Sequence, residues 1–326
     1  MGQQAARAPV VSIHELGTLG GAVSQAKAAN GRGQVVGTSR DGQGRTRAFL
    51  WQEDLGIVDL KPLTGVNTSA NDVNENGEIT GGGDTGFGDF HAYLLSEGTS
   101  FDLGTLGGNE SEALAVNRRG QVAGHSRIAG AVVKHAFLIP DPGRMVDLGS
   151  LGGAGTTSIA HDVNDDGAVV GLAETSSRQP HAFLWTAADG MRDLGALGAA
   201  PSIALGINNR TEVVGGSGHA FLWTDQAGMV DLGTLGGRTS CANDVNDLGC
   251  IVGVSQTDGT DARGLPLTRA FLRMPDGSLL DLGTLGGNHS SAAAISEEAG
   301  GVLRIAGHSH DAAGAVRAVL WTVRLG

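Results

Sequence analysis

The sequence is poor in the residues that helical cores and charged surfaces use. Aromatic residues make up only 4% of the 326 residues and charged residues 17%, while 40% are hydrophobic. The core must therefore be built from Val, Ile, Leu and Ala, and long amphipathic helices are not in evidence. Glycine is abundant instead, with 55 residues, far above average usage. Such a composition is typical of many short strands joined by tight turns.

The chain also lacks any positively charged run. Its formal net charge is −12, so a phosphate backbone would be repelled on average and we expect no nucleic-acid partner. No segment approaches the ~18 apolar residues that span a bilayer, so no membrane partner is expected. The polar N-terminus has no apolar signal-peptide core. We expect a cytoplasmic protein from the chain as it stands, and an exported one if a leader was removed.

Only two cysteines are present, Cys241 and Cys250. In the hairpin proposed below, Cys241 faces Val254 and Cys250 faces Val245, so the two are out of register on neighbouring strands. A disulfide needs Cα atoms within about 7 Å of each other. We therefore predict two free thiols.

An internal repeat runs through the whole chain. The string D-L-G-T-L-G-G stands at residues 231–237 and 281–287 and begins also at Asp102, and variants begin at Glu15, Asp59, Asp147 and Asp193. Between copies the chain repeats S-x-A-x-D-V-N, a turn N-x-x-G, then V-V-G-x-S and H/R-A-F-L-W. Alternating small and β-branched residues around Asn and Gly turns indicate antiparallel strands.

Four short strands in every ~40–50 residues are typical of a propeller blade. The sequence predicts an all-β fold, a seven-bladed β-propeller of four-stranded antiparallel blades. We expect residues 10–326 to form this single domain after a tail of residues 1–9. The last copy lacks its own fourth strand, and residues 10–16 supply a spare one. The N-terminal strand should therefore complete the last blade and close the ring.

The motifs resemble a known group. The H-A-F string, flanked by D-L-G-T-L-G-G and D-V-N-x-x-G-x-V-V-G, looks like the bacterial HAF-repeat family, from about Val11 to Trp321. The resemblance implies a repeat protein of a family whose members are often predicted to be exported. It carries no established catalytic residue that could be transferred to this chain.

Residues present in every copy are expected to build the blade. A basic residue opens each third strand, at Arg47, His91, His135, His181, His219, Arg269 and Arg317. An acidic residue recurs in each fourth strand, at Glu15, Asp59, Asp102, Asp147, Asp193, Asp231 and Asp281. With recurring Ser and Trp residues, this set is similar to the buried hydrogen-bonded tetrad of WD-repeat blades. We expect structural pairs, since in different blades these side chains lie too far apart for a common site.

One turn motif invites a metal interpretation. Residues 162–167 read D-x-N-x-D-G, like the opening of a calcium loop, and residues 72–77 nearly do. The twelfth-position Glu of an EF-hand is replaced by Ala173 and Gly83. We expect plain hairpin turns, with calcium as the open alternative, and we predict no metal site and no cofactor.

Residues peculiar to single copies are the candidates for function. They fall near the channel mouth on the face that carries the variable loops, where binding is usually found. From neighbouring copies, Glu112, His125 and His161 are predicted to form a catalytic acid/base set, because His titrates near neutrality beside a carboxylate. The candidates for substrate binding are Lys27, Asn71, Leu114, Ile159, Leu205, Asn243 and His308.

Two functions remain open from the sequence. The first is a ligand- or partner-binding scaffold that takes a small molecule, glycan or protein on the variable-loop face. The alternative is an acid/base enzyme of lyase, hydrolase or cyclase type with a pocket at the channel mouth, a suggestion that rests on fold-level analogy. A closed, partly apolar pocket would favour the enzyme, and a flat or water-filled rim the scaffold. We expect a monomer in either case.

Overall fold

The computed structural model describes residues 9–140 and 144–325, so residues 1–8 of the predicted tail lie outside the described residues. Every regular element in these ranges is a β-strand. In the first half, the strands are β1 (Val10–Glu15), β2 (Gly20–Ala29), β3 (Val35–Asp41), β4 (Thr46–Gln52), β5 (Gly56–Asp59), β6 (Thr68–Val73), β7 (Ile79–Asp84), β8 (Phe90–Ser96), β9 (Thr99–Asp102), β10 (Gly107–Val116), β11 (Val122–Ile128), β12 (Lys134–Ile139), β13 (Val146–Asp147) and β14 (Ser158–Val163).

In the second half, the strands are β15 (Val169–Glu174), β16 (Pro180–Thr186), β17 (Gly190–Asp193), β18 (Ile203–Ile207), β19 (Val213–Ser217), β20 (His219–Thr224), β21 (Gly228–Asp231), β22 (Gly236–Val245), β23 (Ile251–Thr260), β24 (Pro266–Arg273), β25 (Leu279–Asp281), β26 (Gly286–Ile295), β27 (Val302–Asp311) and β28 (Val316–Arg324). The described residues contain no helix long and apolar enough to cross a bilayer.

The strands pair in antiparallel sets of four that follow the sequence repeat. Sets 1 to 6 are β2–β5, β6–β9, β10–β13, β14–β17, β18–β21 and β22–β25. Set 7 consists of β26, β27 and β28 with the N-terminal β1, which pairs antiparallel with β28 from Val10 opposite Arg324 to Glu15 opposite Val319. Single parallel bridges connect β8 to β10 and β24 to β26. The all-β prediction is confirmed.

The first strands of the sets lie side by side in sequence order. Strand β2 contacts β6, and the same neighbour relation continues through β10, β14, β18 and β22 to β26, which in turn contacts β2. Hydrophobic clusters fill the spaces between adjacent sets. In one of them, Phe49 and Trp51 of set 1 pack with Ala306 and Leu320 of set 7. Most of the few aromatic residues of the chain therefore pack between neighbouring sheets.

A bulge in each first strand was not foreseen from the sequence. The register shifts by one residue after the same Ala in all seven sets, as between Ala242 and Asp244. Cys241 faces Val254 as predicted, but Val245 pairs with Ile251, so the predicted partner of Cys250 was wrong. The extra residue at the bulge causes this difference. Both cysteines are free thiols, as predicted.

The repeated basic and acidic residues form the expected pairs. His135 Nδ1 lies 2.9 Å from Asp147 and His91 Nδ1 2.9 Å from Asp102, while Arg47 pairs with Asp59 at 3.1 Å. The Asp147 side chain is 42% exposed, so the predicted burial of this network was wrong.

The analogy with the WD-repeat tetrad also fails for the recurring serine. Ser126 Oγ accepts the Leu106 N–H at 2.8 Å, and Ser255 Oγ accepts the Leu235 N–H at the same distance. These serines therefore bind the main chain of the connections between sets, and not the imidazoles of the basic position.

Candidate functional site

The bulged residues of the first strands line a narrow central channel. Because each bulge adds one residue to the strand, its side chain leaves the regular alternation of the sheet. The cavity at this level has a volume of about 120 Å³. It brings together six of the predicted site residues, namely Lys27, Asn71, Leu114, His161, Leu205 and Asn243.

Polar side chains from sets 1, 2 and 3 form a continuous hydrogen-bonded chain there. Lys27 Nζ donates to Asn71 Oδ1 at 2.6 Å, and Asn71 Nδ2 donates to Glu112 Oε1 at 2.9 Å. Ser69 Oγ also donates to Glu112 Oε1, at 3.2 Å. Burial lowers the pKa of Lys27, and the Glu112 carboxylate partly offsets this. The Glu112 carboxylate thus accepts hydrogen bonds from two side chains of the neighbouring set.

His125 lies directly across from Glu112 in the pairing of β10 with β11. It is only 7% exposed, and within the described residues its Nδ1 has no hydrogen-bond partner. Its Nε2 lies 3.2 Å from Lys134 Nζ, and Lys134 also forms an ion pair with Glu110. Burial and the Lys134 charge lower the pKa of His125, against the opposing effect of the nearby carboxylates. At neutral pH this imidazole is therefore uncharged.

His161 belongs to set 4, which is the set next to that of His125. Burial lowers the pKa of His161 to about 4, and the positive charge of a protonated His125 adds to this effect. Neutral imidazoles beside a carboxylate can accept a proton from a bound molecule. Of the predicted trio, His161 lines the channel cavity, whereas Glu112 and His125 pair with each other across β10 and β11 outside that lining.

The remaining candidates occupy other positions. Leu114 and Leu205 supply apolar walls to the cavity. Ile159, two residues before His161, is paired with Leu172 and does not line this cavity. His308 is paired with Ser291 on set 7 and also lies outside the lining. The pKa of His308 is lowered by burial and by His310.

Three aspartates form the next layer of the channel and were not recognised from the sequence as channel residues. Asp72 Oδ1 accepts the Val73 N–H at 2.8 Å, and its Oδ2 accepts the Val116 N–H of the next set at 2.8 Å. Asp162 and Asp244 bridge to the following set in the same way. Their oxygens thus bind backbone amides rather than facing the turns that suggested calcium.

The aspartates alternate with small residues around the channel, as Ala28, Asp72, Ala115, Asp162, Gly206, Asp244 and Ala294. A Cβ at Gly206 would come within 2.9 Å of the Asp244 Cα, so the backbone of the next set leaves no room for a side chain at that position. Burial raises the pKa of Asp72 to about 6 and of Asp244 to about 7, and that of Asp162 well above its usual range. This alternation is visible in the repeated sequence, and it was the signal from which the aspartate layer could have been predicted.

At the end that carries the N-x-x-G turns, charged side chains from several sets converge on the channel. The guanidinium of Arg118 lies 3.7 Å from Asp165, 4.0 Å from Asp247 and 3.9 Å from Glu297, which come from sets 4, 6 and 7. These residues line a cavity of about 160 Å³. The Arg118 side chain therefore reaches across the channel toward carboxylates of three other sets at this end.

A metal site does not emerge from the described residues, since they contain no group of three or more His, Cys, Asp or Glu side chains placed to hold an ion. His289 and His310 stack edge to face with centroids 5.0 Å apart, and His289 Nδ1 lies 3.0 Å from Thr268 Oγ1.

Comparisons with known proteins give likenesses in structure. No protein-family model matches the chain. A search of curated proteins likewise finds no match. Among solved structures, a puromycin-hydrolysing peptidase from Mycobacterium tuberculosis is similar with a TM-score of 0.54 and 12% identity, over 94% of this chain and 55% of that one.

Two further solved structures are similar over most of their length. A gluconolactonase from Xanthomonas campestris has a TM-score of 0.45 and 15% identity, covering 97% of this chain and 90% of that one. The lectin BP39L from Burkholderia pseudomallei has a TM-score of 0.46 and 9% identity, covering 95% and 94%. At such identities a likeness concerns the fold alone, which is all-β and propeller-like.

Proposed function

We propose that the chain is a seven-bladed β-propeller of the HAF-repeat type, with a ring closed by β1. Support comes from the seven antiparallel sets of four strands, the pairing of β1 with β28 and the contact of β26 with β2. The pairing with β28 gives set 7 the fourth strand that its own copy of the repeat lacks.

We propose further that this propeller is a binding scaffold whose ligand enters at the loop-bearing mouth of the channel. The observation that carries the proposal is the hydrogen-bonded chain from Lys27 through Asn71 to Glu112, in which Lys27 and Glu112 recur at their positions in no other copy of the repeat. Three different blades contribute to it, yet no strand pairing requires it. His125, with its unpartnered buried Nδ1, extends the same cluster. Buried polar groups left without a partner inside the protein favour a bound hydrogen-bonding group.

The size of the channel limits what can enter it. Its cavity of about 120 Å³ is well below the roughly 300–1,000 Å³ of pockets that enclose a drug-sized molecule. The ligand would therefore rest on the mouth and insert one polar group, as a hydroxyl-rich small molecule or glycan can. A partner protein that inserts one side chain is the other form of the same binding mode.

The proposal is tested by screening a glycan array and a metabolite library for binding, with thermal shift as a second readout. We expect Glu112→Gln and Lys27→Met to weaken any ligand found by about tenfold, the effect of losing one charge-assisted hydrogen bond. Asp166→Asn is the matched control, because Asp166 is an exposed carboxylate at the turn-bearing end, 76% exposed. Unchanged affinity in both channel variants would refute the proposed site.

The enzyme alternative is favoured by one specific observation. His161, with its pKa lowered to about 4, is a neutral base at physiological pH, and it lies close enough to His125 for the charge of that imidazole to affect it. Such a pair suits lyase, hydrolase or cyclase chemistry on a small substrate. Incubation with a metabolite extract, followed by mass spectrometry, should show turnover that Glu112→Ala and His161→Ala abolish with melting unchanged. Full turnover in both variants would contradict this alternative.

A further inference from the structure

A second concave site lies far from the channel mouth, at the turn-bearing end of the seam between set 7 and set 1. It is a groove with a volume of about 730 Å³, within the roughly 300–1,000 Å³ range of small-molecule sites. Set 1 contributes Arg32 and Trp51, and set 7 contributes Arg304, Thr322 and Arg324. The groove is thus formed where the two ends of the chain meet.

Two of the three guanidinium groups of this groove are held by main-chain carbonyls and not by carboxylates. Arg304 Nη1 donates to the Gly31 carbonyl at 3.0 Å, and Arg32 Nη1 donates to the Asn76 carbonyl at 3.3 Å. Within residues 9–140 and 144–325, none of the three forms an ion pair with a carboxylate. Main-chain carbonyls therefore hold Arg304 and Arg32 while their positive charge stays available to a ligand.

The repeat shows that Arg304 is a departure rather than a structural residue. The equivalent position after the turn holds Gln34, Glu78, Gln121 and Glu212 in sets 1, 2, 3 and 5. There it accepts a hydrogen bond from the turn Asn, as Gln121 Oε1 does from Asn117 at 2.7 Å. In set 7 the turn Asn is replaced by Ser296 and the acceptor by a cation.

The charges around the groove are unusual for this chain. The protein carries a net charge of −12, and the turn-bearing end includes Glu75, Asp165, Asp247 and Glu297. The groove itself has three arginines against two carboxylates, the exposed Glu53 and Asp54 on the turn between β4 and β5. A positive groove on an acidic surface attracts anions that the rest of the surface repels.

We propose that this groove binds a small anion that carries two or more carboxylate or phosphate groups. Guanidinium groups recognise both oxyanions by paired N–H donors, and three of them around one groove suit several charges on one ligand. Ser12 and Thr322 supply hydroxyl groups beside them, and Trp51 supplies a planar wall. This site lies at the opposite end of the sheets from the channel mouth and does not depend on the proposed function.

Isothermal titration calorimetry at low salt tests the proposal with three probes on the full chain. Citrate represents carboxylates, pyrophosphate represents phosphates and glucose is the neutral control. We expect saturable one-to-one binding of citrate or pyrophosphate, and no binding of glucose. The preferred probe distinguishes the two oxyanion classes.

Variants assign the binding to this groove. Arg304→Gln installs the residue found in sets 1 and 3, and we expect it to weaken binding by about tenfold or more. Arg324→Gln should act in the same direction, and it removes no hydrogen bond of the fold, so it serves if Arg304→Gln unfolds. Arg119→Gln is the matched control for Arg32→Gln, because Arg119 occupies the same turn position in set 3, outside the groove.

Two results would overturn the proposal. One is the lack of saturable binding of either anion to the folded protein. The other is an equal loss of affinity in Arg119→Gln and Arg32→Gln, which would show a diffuse response to surface charge.

Discussion

The two ends of the central channel are built from the same strands, but they differ in how far their side chains repeat from set to set. At the turn-bearing end, nearly every set supplies the same residues, and each turn binds the next one. Asn117 Nδ2, for example, donates to the Asn164 carbonyl of the following set at 2.8 Å. At the loop-bearing end, the bulge position of the first strands differs between most sets, with Lys27, Asn71, Leu114, His161 and Leu205 in sets 1 to 5, and Asn recurs there at Asn243 of set 6. Repeated polar residues therefore build the structure, while unrepeated ones are free to bind.

The largest loss of stability is expected from the substitution of a repeated residue at the turn-bearing end. Asn117→Ala removes an oxygen that accepts the Arg119 and Gln121 N–H groups, both at 3.0 Å, and an amide that links set 3 to set 4. Asn117 is buried, so we expect the free energy of unfolding to fall by about 3 kcal/mol. Urea denaturation measures it. A loss of less than about 0.5 kcal/mol, within the range of ordinary surface substitutions, would contradict a structural role.

The next effect concerns the aspartate layer between the two ends. Burial raises the folded pKa of Asp244 to about 7, above its usual value of 3.8. As pH falls from 7.5 to 5, the folded protein gains a proton that the unfolded chain does not yet bind, so this group adds stability. Relative to Asp244→Asn, the wild type should gain about 2 kcal/mol over that range.

Denaturation at both pH values checks this prediction. Asp166→Asn is the control, because that carboxylate is exposed and should show no such difference from the wild type. His125 and His161 titrate in the wild type and in the variants alike, so their effects cancel in the comparison. Asp244 also raises the pKa of Asp162, so the loss of that charge in Asp244→Asn adds a difference of the same sign. A wild-type advantage that stays constant or shrinks on acidification would contradict the assignment.

The smallest effect comes from a flaw in the repeat. Thr211 occupies the turn position that is Gly in sets 1 to 4 and 6, and it has a φ of 58°. A β-branched residue in the left-handed region is strained. Thr211→Gly should therefore raise the free energy of unfolding by about 1 kcal/mol. Thermal melting measures the gain, and Gly167→Thr should lower stability as the reciprocal control; a lower melting temperature in Thr211→Gly would exclude strain at this turn.

Much of the fold was predictable because each local sequence pattern occurs in several copies of the repeat. The strands, the Asn turns and the His–Asp pairs each recur, so a pattern that arises by chance in one copy can be told from one that belongs to the fold. The bulge was not predictable, because it changes the register without leaving a distinct residue type behind, and it displaced the expected partner of Cys250. Lys27, Asn71 and His161 were nevertheless assigned to the channel, since variability between copies marked their position.

Other parts of the site required coordinates. Arg118 lies in a turn with no unusual local sequence, and only the geometry shows that it reaches carboxylates of three other sets. The groove with Arg32 and Arg304 joins residues more than two hundred positions apart, and it exists only because β1 and β28 pair. Contacts of that range leave no trace in local periodicity.

The central claim is that repeated residues stabilise this protein and unrepeated residues bind its ligand. The most direct test measures unfolding free energy and ligand affinity for two variants in set 3, Asn117→Ala and Glu112→Gln. We predict that Asn117→Ala loses about 3 kcal/mol of stability and keeps its affinity, while Glu112→Gln keeps its stability and loses about tenfold in affinity. The account is contradicted if either variant loses both together, or if the two losses are exchanged.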